Sequence, residues 1–264
     1  MKQLLRSVLN KFNYDIVKLN SYGTEKYKKK SDIEGLDFFD TPTGKYYLPA
    51  ELKKDVVANS IKSGNYFEPE IIEIAKAYIK GGSSILDVGA NYGQMSVCFS
   101  KLAGSDQVFS FEAEPFIADI LKKNISINNC TNVTIIRGAV YNESGKKLVF
   151  PEPDFKRFDS YGSYGVDPNA SNGRIIESLT IDSLKIDKPI SFMKVDIQGS
   201  DLFAMQGARE TILKNKMAIL FEFEEQFQAE FKTSFNDYAE FVRSINYRFE
   251  KISMGINYLI VPNE

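Results

Sequence analysis

The chain has 264 residues, enough for one large α/β domain with an appendage, and its 43% hydrophobic and 26% charged residues are ordinary for a globular protein. Its 33 basic and 35 acidic residues give a net charge of −2, which provides no global attraction to nucleic acid. Histidine is absent, which excludes Ser-His-Asp and Cys-His catalysis and any His-ligated metal, so a general base must be a carboxylate, Lys, Tyr or Cys.

The two cysteines, Cys98 and Cys130, form no CxxC pair and cannot make a zinc site alone. Low cysteine usage is typical of the reducing cytoplasm. No apolar run reaches the roughly 18 residues of a membrane span. We therefore expect a cytoplasmic protein without a transmembrane segment.

Residues 1–65 are interpreted as an N-terminal helical arm or cap. In MKQLLRSVLNKFNYDIVKL, basic and apolar residues are interleaved at the spacing of an amphipathic helix. Such a helix could pack on the domain, or on a second subunit to give a homo-oligomer. Alternatively, it could touch an anionic membrane surface. We favour packing against protein. Thr41 to Pro49 is predicted to form a turn and a short strand, and Asp55 to Ser63 a short helix.

Residues 66–264 are predicted to form one domain in which strands and helices alternate. Alternation at this interval indicates βαβ crossovers and a parallel sheet. The predicted strands are SILDVG, QVFSFEA, NVTIIRGAV, ISFMKVDI, MAILFEFE, RFEKIS and NYLIVP, the last two as an antiparallel hairpin. The predicted helices start at Pro69, Gly93, Pro115, Ser200 and Asn236. Between Phe150 and Ser178 a long loop, rich in Pro, Gly, Ser and aromatic residues, interrupts the alternation.

The turn after the first strand of this domain, DVGANYG, is the strongest candidate for a ligand site, since open α/β sheets bind ligands at the carboxyl ends of their strands. A dinucleotide fingerprint starting at Gly89 would need glycines where Asn91 and Gln94 stand, and no Gly-Lys-Ser/Thr of a P-loop is present. The turn instead offers Gly89 and Gly93, which would let a ligand approach the backbone, beside Asp87 and Asn91.

Glu112 ends the next strand, 23 positions after Gly89. An acid about 20 residues on is placed to hold a ribose diol. A turn with an acid but no phosphate-binding features favours a cofactor with a ribose, no phosphate and a positive sulfur. S-adenosylmethionine has these features.

Six segments together resemble the FkbM-type S-adenosylmethionine-dependent methyltransferases in order and spacing: ILDVGANYGQMS, VFSFEAEP, NVTIIRGAV, LTIDSL, FMKVDIQGSDLFAMQGA and ILFEFEE. The resemblance runs from about Tyr66 to Pro262. It implies a class I methyltransferase fold, a Rossmann-like α/β fold with a seven-stranded, mostly parallel sheet whose last strand is antiparallel, and usually O-methylation. Gln198 departs from the family, which usually has Glu there.

The resemblance also implies which residues bind the cofactor. The turn would hold its methionine end, Glu112 its ribose, and Ala139 and Val140 would lie near the adenine. The full set of predicted cofactor-binding residues is Glu68, Asp87, Gly89, Ala90, Asn91, Gly93, Ser96, Glu112, Ala139 and Val140.

Methyl transfer to a hydroxyl needs alignment, exclusion of water, and a base or metal that takes the proton. Asp196, at the end of the fourth strand, is the first candidate base; Lys194 and Glu222 are the other predicted catalytic residues. Asp196 and Glu222 could alternatively hold Mg²⁺, which we do not favour because Gln198 removes one potential anionic ligand.

The predicted acceptor-binding residues are Tyr161, Ser163, Tyr164 and Glu224. The expected acceptor is a sugar hydroxyl of a glycan or nucleotide-linked precursor, a class that comes from the resemblance. Alternatives are a methyltransferase acting on a non-sugar small molecule and a scaffold protein that has lost catalysis. An NAD-dependent oxidoreductase is disfavoured by the missing glycines.

Overall fold

The computed structural model describes residues 26–51, 54–153, 160–252 and 255–263. The predicted amphipathic helix at the start of the chain lies outside the described residues. The described N-terminal segment contains more strand than helix: three antiparallel strands and one helix, namely β1 (Lys28–Lys29), β2 (Leu36–Thr41), β3 (Gly44–Pro49) and α1 (Val56–Lys62). The last two elements confirm the strand and helix predicted there.

Seven strands form the central sheet: β4 (Ser84–Val88), β5 (Val108–Glu112), β6 (Val133–Arg137), β10 (Ile190–Val195), β11 (Ala218–Glu222), β12 (Tyr247–Glu250) and β13 (Asn257–Pro262). Their order is β12-β13-β11-β10-β4-β5-β6, and β13 alone runs antiparallel to its neighbours. This is the sheet that the resemblance implies, so the predicted class I methyltransferase fold is confirmed. The strand order reverses between β4 and β10, where an open α/β sheet forms a crevice.

Three further strands make a small sheet beside β6: β7 (Ala139–Val140), β8 (Lys147–Phe150) and β9 (Arg174–Leu179). The prediction of one strand across NVTIIRGAV was wrong at Gly138, where φ is +140° and the chain leaves the central sheet to pair with β9. Strands β8 and β9 pair antiparallel and carry the predicted long loop between them. Both ends of that loop are therefore anchored in a sheet.

Seven helices follow the N-terminal segment in the described residues: α2 (Pro69–Tyr78), α3 (Gln94–Ala103), α4 (Pro115–Ile127), α5 (Asp201–Gln206), α6 (Arg209–Asn215), α7 (Glu225–Phe231) and α8 (Phe235–Ser244). Helix α7 was not predicted. The single helix predicted from Ser200 to Asn215 was wrong, because the chain breaks at Gly207. There an added Cβ would lie 2.0 Å from the Tyr141 carbonyl oxygen, so only glycine fits at this break.

The N-terminal segment shares a hydrophobic core with the larger domain. Phe39, Tyr46 and Leu48 are buried in the same cluster as Tyr92 and Leu121. Polar contacts reinforce this packing: the Asn124 amide of α4 bonds both the N–H and the carbonyl of Tyr47 in β3, and the Tyr92 carbonyl in the turn after β4. The division at residue 65 stays a prediction, and the described part of the N-terminal segment packs directly behind the candidate site.

Candidate active site

Two adjoining cavities lie at the carboxyl ends of β4, β5 and β10. The main cavity has a volume of about 680 Å³, including space open to solvent, and the second about 400 Å³. Gly89, Asn91 and Asp196 line both, so the two cavities meet at the turn after β4 and the end of β10. Strands β4 and β10 are neighbours in the sheet, so the residues that follow them lie together. The strand order reverses at this point.

Glu112 lines the main cavity at the end of β5. Its carboxylate accepts hydrogen bonds from the backbone N–H groups of Asn91 and Glu114, both at 2.9 Å. Burial raises the pKa of Glu112 to about 7, although these two hydrogen bonds favour the ionised form. Each carboxylate oxygen keeps capacity for a further donor, such as a ligand hydroxyl.

The glycines of the turn pack tightly against the protein itself. Gly89 has φ +84°, and a Cβ there would lie 1.9 Å from the Asp196 carbonyl oxygen. Gly93 has φ +87°, and its Cβ would lie 2.5 Å from a Leu121 methyl group. Only glycine fits both positions, because they combine a left-handed backbone with close packing against the protein itself. The expectation that they admit a ligand does not account for their tightest contacts.

Asp87 and Ser96 lie behind the turn. Asp87 is fully buried, accepts a 2.5 Å hydrogen bond from the Ser96 hydroxyl, and has its other oxygen 4.0 Å from the Lys194 ammonium. Burial raises the pKa of Asp87, and the nearby Lys194 opposes that rise. Neither Asp87 nor Ser96 lines the two cavities, and nor does Gly93. These residues therefore support the turn from beneath.

Asp196 follows β10, and a quarter of its side-chain surface is accessible. Its carboxylate accepts from the Lys194 ammonium at 3.1 Å and from the Gln198 amide at 3.2 Å. Burial alone would lower the pKa of Lys194, but the attraction of Asp196 and Asp87 outweighs it, so the ammonium stays charged. Lys194 and Asp196 therefore form an ion pair at the end of β10.

Glu222, at the end of β11, joins this group through Gln198. The Gln198 amide also donates to Glu222 at 3.2 Å, so one NH₂ group lies between the two carboxyl groups. Burial and the neighbouring Asp196 raise the pKa of Glu222 well above its ordinary value. No group of three His, Cys, Asp or Glu side chains able to hold a metal occurs in the described parts of the chain.

The remaining predicted residues divide between the cavities and their surroundings. Ala139, Val140, Tyr161 and Tyr164 line the main cavity, whereas Ser163 does not. Glu68 and Ala90 line the second cavity, where Glu68 accepts a 3.0 Å hydrogen bond from Asn257 and burial raises its pKa.

Glu224 lines neither cavity. It begins α7 and accepts a hydrogen bond from Gln226.

Sequence reasoning missed several residues of the site. Gly165, Val166 and Ile197 also line the main cavity, and buried Asp55 contacts its wall from behind. Gln198 was noted as a departure from the family, but its bridge between two carboxyl groups was not predicted. No local signal marks these residues, since each reaches the site through tertiary packing.

Comparison with known proteins identifies the family. Residues 87–249 match the family described as "Methyltransferase FkbM domain", a stretch that covers more than half of the chain and includes the turn, Glu112 and Asp196. The chain belongs to the FkbM methyltransferase family.

Curated relatives of this FkbM-family chain are matched over short stretches. A ribosomal protein L11 methyltransferase of Clostridium perfringens is 30% identical over 67 residues, 25% of this chain and 21% of that protein. A probable ribosomal RNA small subunit methyltransferase A of Methanosphaera stadtmanae is 30% identical over 105 residues, 39% of this chain and 36% of that protein. The chain thus spans about a fifth to a third of these relatives.

Solved structures with similar folds include methyltransferase FkbM from Methylobacillus flagellatus, 17% identical with a TM-score of 0.47. That similarity covers 78% of this chain and 52% of the other. A TehB-like SAM-dependent methyltransferase from Corynebacterium glutamicum is 12% identical, with a TM-score of 0.46 and coverage of 78% and 93%. Within the described residues of this family member, no helix is long and apolar enough to cross a bilayer.

Proposed function

We propose that this protein is an S-adenosylmethionine-dependent O-methyltransferase that methylates a sugar hydroxyl, in a glycan or a nucleotide-linked sugar precursor. The observation that carries the proposal is the position of Asp196. Its partly exposed carboxylate lies where the two cavities meet and is held by Lys194 and Gln198. A base at that junction can reach ligands in both cavities.

The residues of the main cavity fit S-adenosylmethionine better than a dinucleotide. The Asn91 Oδ1 atom is buried and has no hydrogen-bond partner among the described residues, so it can accept a bond from a ligand donor. Of the described residues that line the two cavities only Lys194 is basic, and it is already engaged by Asp196. Acidic lining suits a cationic ligand with hydroxyl groups and offers little to a pyrophosphate.

Five residues would hold this cofactor. Glu112 would accept hydrogen bonds from the ribose hydroxyls, Ala139 and Val140 would contact the adenine, and Ala90 and Glu68 would face the methionine end. When bound, the cofactor supplies an electrophilic methyl group.

The chain itself supplies alignment and a proton acceptor. Asp196 would take the proton from the acceptor hydroxyl, and Lys194, 3.1 Å away, would hold its carboxylate in place. Burial and the neighbouring Asp196 raise the pKa of Glu222, which favours its neutral form and so limits negative charge beside Asp196. Tyr161 and Tyr164 form part of the wall of the main cavity and would help to exclude water once the ligands are bound.

The acceptor class rests on the family resemblance, and the charge of the site is compatible with it. Glu68, Glu112 and Asp196 line the cavities, which disfavours a polyanionic acceptor such as RNA, although one relative is named for ribosomal RNA. A sugar or another uncharged small molecule carries no such penalty. Nucleotide-linked precursors would have to keep their phosphates outside the acidic cavities.

A methyl-transfer assay tests the proposal. The full chain is incubated with S-adenosylmethionine and panels of nucleotide sugars, oligosaccharides, RNA and small phenols, and products are identified by mass spectrometry. We expect a mass increase of one methylene on a sugar, with turnover lower by at least about 100-fold in Asp196→Asn. Asp119→Asn, which alters an exposed ion pair with Arg137, serves as the matched control and should retain activity. Methylated RNA, or full activity in Asp196→Asn, would contradict the proposal.

A further inference from the structure

One buried carboxylate connects three parts of the chain around the main cavity. Asp55 is fully buried and precedes α1, where its Oδ1 atom accepts a 2.7 Å hydrogen bond from the Ala58 N–H. Its Oδ2 atom accepts from the Tyr92 hydroxyl at 2.9 Å, the Ser160 hydroxyl at 2.9 Å and the Tyr161 N–H at 3.1 Å. Four donors thus converge on one side chain.

The partners of Asp55 belong to elements that meet at the cavity. Tyr92 is part of the turn after β4, and its hydroxyl is kept protonated because burial and the Asp55 carboxylate raise its pKa well above its ordinary value. Ser160 and Tyr161 lie in the long loop between β8 and β9, where that loop reaches the cavity. Asp55 itself comes from the N-terminal segment, more than thirty residues before the turn.

The loop wall lies directly against the turn at this point. The Tyr161 ring lines the main cavity and packs against Phe116 at a centroid distance of 5.7 Å. A Cβ added at Gly162 would lie 2.8 Å from the Asn91 amide nitrogen, so the loop backbone touches a residue that lines both cavities. The position of residues 160–166 therefore determines the shape of the main cavity.

A carboxylate is required for this arrangement. Oδ2 accepts three hydrogen bonds, which an anionic oxygen can do and an amide NH₂ group cannot. In Asp55→Asn, either the amide nitrogen faces the donors of Tyr92, Ser160 and Tyr161, or the Ala58 N–H loses its acceptor. A buried donor without a partner is costly in free energy. In this variant the loop would therefore move away from the turn, so that water could bind the unpaired polar groups.

We propose that Asp55 is a positioning residue that fixes the loop wall, residues 160–166, against the turn at 89–93, so that the N-terminal segment helps to build the ligand cavity. The geometric part of the proposal stands independently of the ligand. The statement that this wall contributes to cofactor affinity rests on the proposed function.

The test measures wall order and ligand affinity separately in the full chain. Hydrogen exchange of the backbone amides of residues 160–166 is measured without ligand. The dissociation constant for S-adenosylhomocysteine is measured by calorimetry. In Asp55→Asn we expect exchange at 160–166 to accelerate at least tenfold and the dissociation constant to rise at least tenfold. Asp32→Asn is the matched control, because Asp32 also accepts from a tyrosine, Tyr47, in the same segment and lines neither cavity; it should leave both readouts unchanged.

Each outcome has a distinct meaning. Unchanged exchange at 160–166 in Asp55→Asn, or an equal acceleration in Asp32→Asn, would overturn the proposal. Accelerated exchange with an unchanged dissociation constant would overturn its second part alone. If the wild-type chain does not bind S-adenosylhomocysteine, the proposed function fails, while the exchange data still decide the role of Asp55. If Asp55→Asn does not fold, Tyr92→Phe and Ser160→Ala replace it, because each removes one hydrogen-bond donor to Asp55. Each should accelerate exchange at 160–166 a few-fold. No acceleration in either variant would overturn the proposal.

Discussion

The raised pKa of Glu112 makes a quantitative prediction about ligand affinity. Burial brings this pKa to about 7, so about one side chain in eleven is ionised at pH 6 and about ten in eleven at pH 8. A ribose diol donates hydrogen bonds, and a carboxylate that already accepts two backbone N–H groups receives further donors best when it is ionised. We therefore expect the dissociation constant for S-adenosylhomocysteine to fall about tenfold, or about 1.4 kcal/mol, from pH 6 to pH 8.

Calorimetry across this pH range, on the wild-type chain and two variants, makes the test specific. Glu112→Gln loses the charge, so its dissociation constant at pH 8 should be at least about tenfold higher than that of the wild type and nearly independent of pH. Asp201→Asn is the matched control, because burial also raises the pKa of Asp201 to about 7 but Asp201 lines neither cavity; it should keep the tenfold step.

A wild-type dissociation constant that does not change between pH 6 and pH 8 would refute the reasoning. So would a Glu112→Gln variant that keeps the wild-type slope, because the titrating group would then lie elsewhere.

Two further predictions concern metal dependence and stability. EDTA should leave the turnover unchanged, because the Gln198 amide places its hydrogens between Asp196 and Glu222, where a bridging cation would bind. If EDTA abolished the turnover and Mg²⁺ restored it, the carboxylates would instead be metal ligands. The melting temperature of the ligand-free chain should fall by at least about 4 °C from pH 6 to pH 8, as measured by scanning calorimetry. Glu112 and Asp201 both have pKa values raised to about 7 by burial, so the folded state holds protons that the unfolded state releases, and stability decreases as these groups ionise. A melting temperature that rises over this range would contradict that sign.

The sequence by itself determined the sheet and the core of the candidate site. Apolar strands alternating with helices predict a parallel sheet, and Pro69 and Pro115 mark the helix starts where the structure has them. The sequence picks out Asp87 and Glu112 because parallel strands end at one edge of the sheet. The residues at the end of each strand are therefore predicted to lie together. These signals are local in the chain, so they can be recognised without knowledge of the packing.

Only the tertiary structure decided which of these residues line the cavities. Asp87, which the sequence placed at the cofactor, lies fully buried behind the turn, whereas Asp55 reaches the cavity wall from more than one hundred residues away along the chain. Gly207, where the chain breaks between α5 and α6, must be glycine because the Tyr141 backbone lies where a Cβ would be. These positions are decided by contacts made in the folded chain. The free-energy cost of burying a charge or crowding a backbone depends on those contacts, and the neighbouring residues in the sequence do not reveal them.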